Sequence, residues 1–305
     1  MVCVSVLQSP SIVGKMGGRV CGMHLVCRGS GPAILFIHGM PTNSELWCQI
    51  VERLCGKFTC FAVDLPGFGQ TPRETYSVDY LQRLAERIEA LRIENGVEEW
   101  RLVGHDAGSA VAVQYAALFP ERVARMVLLS PALFPDLRPY FLLNLLRTPV
   151  LGEVLAPAVS PLFWNVAMRR AVQCEEEVPG PCFRTFKQRF GGFTGAWELM
   201  RVMRWGKPRD VLANIPSCLS QLRVRTSILY ASRDAAIPRK MALRAAALIP
   251  DAVAQEVDSG HFIPLNRPGF VAEHLAEFLG NESPSTSSQH PRATLPDDRS
   301  LPIPA

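Results

Sequence analysis

The chain has 305 residues, 48% of them hydrophobic and 20% charged, with a net charge of +4. Such a length buries one large core or two smaller ones, and the composition excludes a wholly disordered, collagenous or coiled-coil protein. The positive excess is small and scattered, so it gives no support to a nucleic-acid partner. The longest uncharged stretch of the most apolar region, Val154 to Met168, carries Pro157 and Pro161 and is too short to span a bilayer, so no transmembrane segment is expected. Met1-Val2-Cys3-Val4 lacks the charged start of a secretory signal. The nine cysteines contain no CxxC pair and read as reduced thiols of a cytoplasmic protein. The six histidines show no metal-ligand spacing, so no metal is expected.

Short apolar runs alternate with longer amphipathic segments, the pattern of parallel strands joined by crossover helices. Two early runs, near Ser11 to Val13 and Val20 to Val26, predict a leading hairpin. Buried strands are predicted over Ala33 to Ile37, Phe58 to Val63, Arg101 to Val103, Met126 to Leu129 and Ser227 to Tyr230. Helical spacing covers Tyr80 to Asn95, Ser109 to Leu118 and, near the end, Phe270 to Leu279. From about Leu133 to Ala213 strand-like runs vanish, and prolines from Pro135 to Pro208 punctuate short apolar pieces. A helical insertion lying across the end of the sheet is the simplest account. The tail from Asn281 to Ala305 is rich in Pro and Ser and has no aromatic residue. It cannot offset its ordering entropy by burying apolar surface, so disorder is expected there.

The most informative run is Leu102-Val103-Gly104-His105-Asp106-Ala107-Gly108-Ser109-Ala110. A strand enters, a turn of the form Gly-x-acid-x-Gly follows, and a helix of small residues leaves. That is the shape of a nucleophile elbow, in which the central side chain stands at the carboxyl end of a sheet. Taken alone, an Asp capping the next helix explains the run equally well. Four other segments shift the balance, one of them Asp64-Leu65-Pro66-Gly67-Phe68-Gly69-Gln70-Thr71 after the strand Phe58 to Val63. His38-Gly39-Met40-Pro41 follows an apolar strand, where a loop could aim backbone N–H groups at the elbow. Asp234 follows the strand Ser227 to Tyr230, and His261 lies on the Gly-bearing loop Asp258 to Phe262. Ligand sites of open α/β sheets lie at such strand ends. His38, His105 and Asp64 read more simply as loop residues that bond backbone.

On these motifs the sequence resembles the α/β-hydrolase fold family over roughly Arg19 to Leu133 and Pro216 to Gly280. The resemblance implies a mostly parallel eight-stranded sheet with helices on both faces and an inserted helical cap. It divides the chain into a core over 1–133 and 214–280, a helical cap over 134–213 and a disordered tail over 281–305. It also implies a catalytic set of Asp106, His261 and Asp234, with backbone N–H groups of Met40 and Ala107 as an oxyanion hole.

A carboxylate in the elbow is a poor catalyst of acyl transfer, because attack on an acyl carbon gives a mixed anhydride. It suits displacement at saturated carbon, giving an alkyl–enzyme ester that water then cleaves. The pattern G-H-D-x-G with H-G-x-P resembles the epoxide hydrolase and haloalkane dehalogenase branches. Dehalogenases take halide donors from side chains at positions matched here by Met40 and Ala107, which have none. Epoxide hydrolases use cap tyrosines, and the insertion holds one, Tyr140. Trp164, Trp197 and Trp205 could supply an indole N–H. The expectation is a cofactor-free hydrolase acting with water on a small apolar organic substrate, an epoxide ahead of a haloalkane. The alternatives are a non-hydrolytic pathway enzyme or ligand-binding protein on the same fold, and a serine esterase using Ser109.

Overall fold

The computed structural model describes residues 18–75, 77–138, 145–164, 168, 180–204 and 207–280. The predicted run Ser11 to Val13, Tyr140, Trp205 and the tail 281–305 lie outside the described residues. In chain order the strands are β1 (Gly18–Val20), β2 (Met23–Gly29), β3 (Ala33–Ile37), β4 (Thr59–Val63), β5 (Trp100–His105), β6 (Val123–Leu129), β7 (Arg225–Ala231) and β8 (Val253–Val257). The helices that matter below are α1 (Cys48–Leu54), α2 (Tyr80–Glu94), α3 (Ala107–Leu118), α4 (Leu151–Leu162), α5 (Gly180–Phe190), α6 (Gly192–Met203), α7 (Pro208–Val211), α8 (Ile215–Gln221), α9 (Arg239–Leu248), α10 (Ile263–Asn266) and α11 (Pro268–Gly280).

The strands lie side by side in the order β1-β2-β4-β3-β5-β6-β7-β8. From β4 to β8 every neighbouring pair is parallel, while β2 runs antiparallel to β4 and the three-residue β1 antiparallel to β2. The centre reads as a continuous apolar run because both faces of a parallel sheet are covered. Ile34, Leu35, Phe36 and Ile37 of β3 are fully buried, each contributing roughly 1.5–3 kcal/mol of transfer free energy.

A hairpin pairs Gly18–Val20 with Met23–Leu25, so the predicted run Val20 to Val26 holds a turn and the start of β2 rather than one strand. Its turn is Cys21-Gly22, both at positive φ. Two such residues match the twist of a tight hairpin, and the apolar run alone does not reveal that geometry.

Side chains alternate faces along a strand, and this separates two helix groups. Arg101 of β5 bonds the Leu279 carbonyl at the end of α11, which also packs on α1. Gly104, three residues on and so facing the other way, abuts Gly108 and Ser109 of α3. Helix α3 packs on α2 and α8 and is buried nearly all round. A Cβ on Gly108 would stand 2.3 Å from the Ile37 carbonyl and 2.6 Å from that of His38, so only glycine lets α3 approach β3 this closely.

Between β6 and β7 the described residues form helices and no strand. Helix α5 rests on the loops at the carboxyl ends of β3 and β4. The Arg189 guanidinium donates to the Gly69 and Thr71 carbonyls, each at 3.1 Å, and Phe190 meets Phe68 edge-on at 5.8 Å. Among the described residues no helix is long and apolar enough to cross a membrane.

The contact between α3 and β3 yields a test. Gly108→Ala should lower unfolding free energy by roughly 2–4 kcal/mol, the cost of overpacking against backbone, as measured by urea titration.

Candidate active site

Strand order decides where a ligand can sit. The chain leaves β3 for β4 on one side and returns to β5 on the other. The loops after β3 and β5 therefore part at their carboxyl ends, the place where open α/β sheets form a crevice. One of those loops is His38-Gly39-Met40-Pro41, and the other turn is Asp106.

Asp106 joins β5 to α3 with φ 48° and ψ −121°, a strained conformation for a residue with a Cβ, costing on the order of 1–3 kcal/mol. Its backbone is pinned on both sides. The N–H donates to the Leu129 carbonyl at 3.1 Å, and the carbonyl accepts from Ser109 at 3.0 Å and Ala132 at 3.2 Å. The side chain makes no capping bond to α3, which removes the reading of Asp106 as a helix cap. Instead, its Oδ2 accepts the Met40 N–H at 2.9 Å, and the Ala107 N–H bonds the same carboxylate. Gly39 makes this approach possible, because a Cβ there would lie 2.4 Å from that of Asp106.

His261 and Asp234 meet from the next two loops. Imidazole Nδ1 lies 2.9 Å from Asp234 Oδ2 and 3.1 Å from Oδ1, with both side chains nearly out of solvent. Asp234 Oδ1 also accepts the N–H groups of Ala236 and Ile237, each at 2.8 Å. The two loops are tied by backbone, Ser232 donating to Val257 and Arg233 to Ser259.

Burial alone would raise the pKa of Asp234, yet the His261 charge, its hydrogen bond and the Ile237 N–H outweigh burial and hold it at about 2. Burial pulls His261 down, but Asp234 and then Asp106 more than reverse this, so the imidazole titrates above its ordinary value. Asp106 is pushed up by burial, against the opposing pull of His261 and the Ala107 and Met40 N–H groups. Each of these groups moves the acidity of the others.

The remaining polar residues brace the loops. His38 Nδ1 donates to the Gly39 carbonyl at 2.8 Å and its Nε2 accepts the Leu65 N–H at 2.9 Å, so one neutral tautomer satisfies both bonds. Burial lowers its basicity, in keeping with a neutral ring. Asp64 accepts from Ser44 and Gln70 N–H, each at 2.8 Å, and lies 3.1 Å from His24 Nδ1. Asp64 thus holds the far end of the Met40 loop as well as its own turn, a role that sequence reading missed. His105 Nε2 donates to the His261 carbonyl at 3.0 Å, and the rings lie 4.8 Å apart. Burial first, then His261, drives His105 down to about 3, so it stays neutral and positions the His261 backbone.

Ser109 lies in the first turn of α3 with its hydroxyl donating to the Gly104 carbonyl at 3.1 Å, away from the elbow's tip. Trp164 is buried, stacked on Phe190 at 6.3 Å and edge-on to Phe163 at 5.5 Å, and Trp197 is partly buried against the core. Rings therefore run from Trp164 through Phe190 and Phe68 to His38, whose ring meets Phe68 at 5.4 Å.

A family profile described as alpha/beta hydrolase fold matches residues 32–268. An uncharacterised protein of Mycobacterium bovis is 28% identical over 283 residues, covering 86% of this chain and 79% of the relative. A haloalkane dehalogenase of Agrobacterium fabrum is 37% identical over 141 residues, covering 43% of this chain and 45% of the relative. A cis-3-alkyl-4-alkyloxetan-2-one decarboxylase of Shewanella oneidensis is 26% identical over 275 residues, covering 84% and 85% of the two chains. Among solved structures, a haloalkane dehalogenase variant from Agrobacterium tumefaciens superposes with a TM-score of 0.71 at 24% identity, covering 85% of this chain and 93% of that one. A candidate epoxide hydrolase from Pseudomonas aeruginosa gives 0.70 at 23%, covering 85% and 91%. These likenesses carry the fold.

The electrostatics set two signed expectations. In Asp234→Asn the carboxylate that raises His261 is gone, burial wins, and the imidazole should titrate below 6.5, as followed by NMR of the ring nitrogens. His261, raised when folded, contributes stability that is complete below 6.5 and lost as pH rises through its folded value. Asp234, depressed when folded, contributes stability present above 3.8 and lost as pH falls towards about 2. The stability lost in Asp234→Asn should therefore be greatest between pH 3.8 and 6.5, as measured by denaturant titration across pH.

Proposed function

The chain belongs to the alpha/beta hydrolase fold family, and from that premise we propose that it is a cofactor-independent hydrolase whose Asp106 attacks saturated carbon to form an alkyl ester. The observation that carries this reading is the resting geometry of Asp106. Its Oδ2 already accepts the Met40 N–H at 2.9 Å and the Ala107 N–H bonds the same carboxylate, so the oxygen that Met40 does not hold is taken as the attacking atom.

In the first step that oxygen bonds to a substrate carbon and the carbon–oxygen bond of a strained ring breaks, its electrons passing to the ring oxygen. In the second, His261 takes a proton from water. Its Nδ1 is engaged by Asp234, so Nε2 is the basic nitrogen. The hydroxide adds to the ester carbonyl of Asp106. The oxyanion that results forms where the carboxylate rests, facing the Met40 N–H that bonds Oδ2 and the Ala107 N–H, and such preset donors are worth about 2.7–4 kcal/mol each. Collapse breaks the bond from the carbonyl carbon to the product oxygen, and that oxygen takes the proton of the added hydroxyl. The proton held by His261 passes to the group that protonated the ring oxygen, so the product leaves and the carboxylate and neutral imidazole are restored.

An epoxide is the favoured substrate class. The Met40 and Ala107 side chains offer a departing halide no donor, and opening an epoxide needs only a proton for its oxygen, for which Tyr140 is the assigned source. Trp164, Trp197 and Trp205 are the proposed alternative sources of an indole N–H. In this reading residues 134–213 form a cap over the crevice. The seating of α5 on the loops after β3 and β4, through Arg189 and Phe190, supports it. A second reading has one observation in its favour. The oxetan-2-one decarboxylase matches 84% of this chain, whereas the dehalogenase likeness in sequence covers 43%. A four-membered lactone is also a strained oxygen ring on an apolar molecule, and its opening would end in loss of carbon dioxide rather than in hydrolysis.

His261→Gln should let the ester form and persist. Mass spectrometry of the Asp106 peptide after exposure to a styrene-oxide-like epoxide should show the whole substrate mass added, with Asp106→Ala as the blank. A bromoalkane would add its mass less hydrogen bromide, and no adduct with either would count against the mechanism. Attack needs Asp106 ionised and ester cleavage needs His261 neutral, and both groups titrate above their ordinary values. Turnover should therefore climb with pH, and when ester cleavage limits the rate its half-maximum should lie below the pH at which His261 titrates in the free enzyme, because the ester lacks the Asp106 charge.

A further inference from the structure

Outside the site just described, two thiols meet between parts of the chain that are far apart in sequence. Cys48 opens α1, against the sheet, and Cys182 lies in the first turn of α5, 134 residues later in the stretch between β6 and β7. Their Sγ atoms are 3.1 Å apart, and the two residues are 2% and 1% exposed. Both are free thiols. The contact lies in the seam where Arg189 bonds the Gly69 and Thr71 carbonyls and Phe190 meets Phe68. Hydrogen bonds and ring contacts can part and re-form as that seam opens, whereas a sulfur–sulfur bond would hold it shut.

We propose that Cys48 and Cys182 are a redox-controlled staple that covalently fastens helix α5 to the sheet layer when oxidised. The co-reactant is a small-molecule disulfide. Either thiol can donate to the other across the 3.1 Å contact. Cys182, carried on the helix that lifts, meets the reagent first and attacks as the thiolate. It displaces one thiolate from the small disulfide and forms a mixed disulfide. Cys48 gives up its proton and attacks that Cys182 sulfur, displacing the second thiolate. The two protein thiols are oxidised to one disulfide and the small disulfide is reduced to two thiols. Because both sulfurs are buried, the reagent enters only when α5 lifts, so the staple forms slowly and, once formed, prevents the same motion.

A carboxylate completes a possible metal-donor set, since Glu45 has an oxygen within 4.8 Å of both sulfurs. The sulfur separation argues for the disulfide. Two thiolates on a tetrahedral zinc with bonds of about 2.3 Å stand about 3.8 Å apart, wider than the observed 3.1 Å.

The test uses the full chain, reduced with dithiothreitol, freed of it, and incubated with oxidised glutathione. The expected result is a loss of about 2 Da and, without reduction, a tryptic pair joining the Cys48 and Cys182 peptides. The oxidised protein should melt about 5 °C or more above the reduced one, reversibly with dithiothreitol, because the closed loop is long. Cys182→Ser should show neither change. The comparison of oxidised with reduced wild type stands even if that variant folds poorly. Separate glutathione adducts on the two cysteines without a cross-link would overturn the proposal, as would a cross-link that leaves the melting temperature unmoved. So would Zn2+ alone raising the melting temperature of the reduced protein in a manner lost in Glu45→Gln, which would assign the cluster to a metal.

Discussion

The backbone of Asp106 sits at φ 48° between a strand and a helix, and the site is arranged around keeping it there. Three backbone hydrogen bonds fix its peptide groups, to Leu129, Ser109 and Ala132. Strain on the order of 1–3 kcal/mol persists only where the surroundings over-determine it, and here they also require particular neighbours. Gly39 and Gly108 leave room where a Cβ would collide with Asp106 and with the β3 carbonyls. The Met40 N–H that meets the carboxylate belongs to a loop held at one end by His38 on Leu65 and at the other by Asp64 on Ser44. The turn therefore determines the direction of the carboxylate, and a second tier of buried polar groups determines the donors that face it.

The same enclosure governs charge. Two carboxylates and an imidazole share one buried place, and burial is the largest influence on each of them. Asp234 stays ionised because it accepts two backbone N–H groups and faces the imidazole. His261 is drawn upwards by both carboxylates. In the proposed cycle this coupling acts at the right moment. Turning Asp106 into an ester removes one of the two negative charges that favour the protonated imidazole, so His261 becomes easier to deprotonate just when a base is required.

Much of this was legible from residue order, for reasons that can be named. Buried parallel strands leave uninterrupted apolar runs, so β3, β4, β6 and β7 were found to within a few residues. The elbow was legible because its glycines have no substitute at such short approaches. The positions of Asp234 and His261 followed from strand ends, and the structure brings their side chains together. The turn Cys21-Gly22 inside the predicted run Val20 to Val26 was missed because it depends on backbone angles that an apolar pattern does not encode. The half-exposed edge strand β8, with the sequence Val-Ala-Gln-Glu-Val, has no apolar run, and a last short strand was expected only from its place before the His261 loop. The bracing role of Asp64 was missed because its partners His24 and Ser44 lie far from it in sequence. The meeting of Cys48 with Cys182 could not be read at all, since nothing local marks two thiols 134 residues apart as neighbours.

The central claim is that the oxygen given to the product comes from Asp106 and that water replaces it there. A single turnover in water enriched in oxygen-18, with enzyme in excess over an epoxide substrate, reads this directly. The account predicts a diol whose new oxygen is unlabelled and an Asp106 peptide that has gained one heavy oxygen. A labelled diol beside an unlabelled Asp106 would mean that water attacks the substrate itself, and the carboxylate would then have no role as nucleophile.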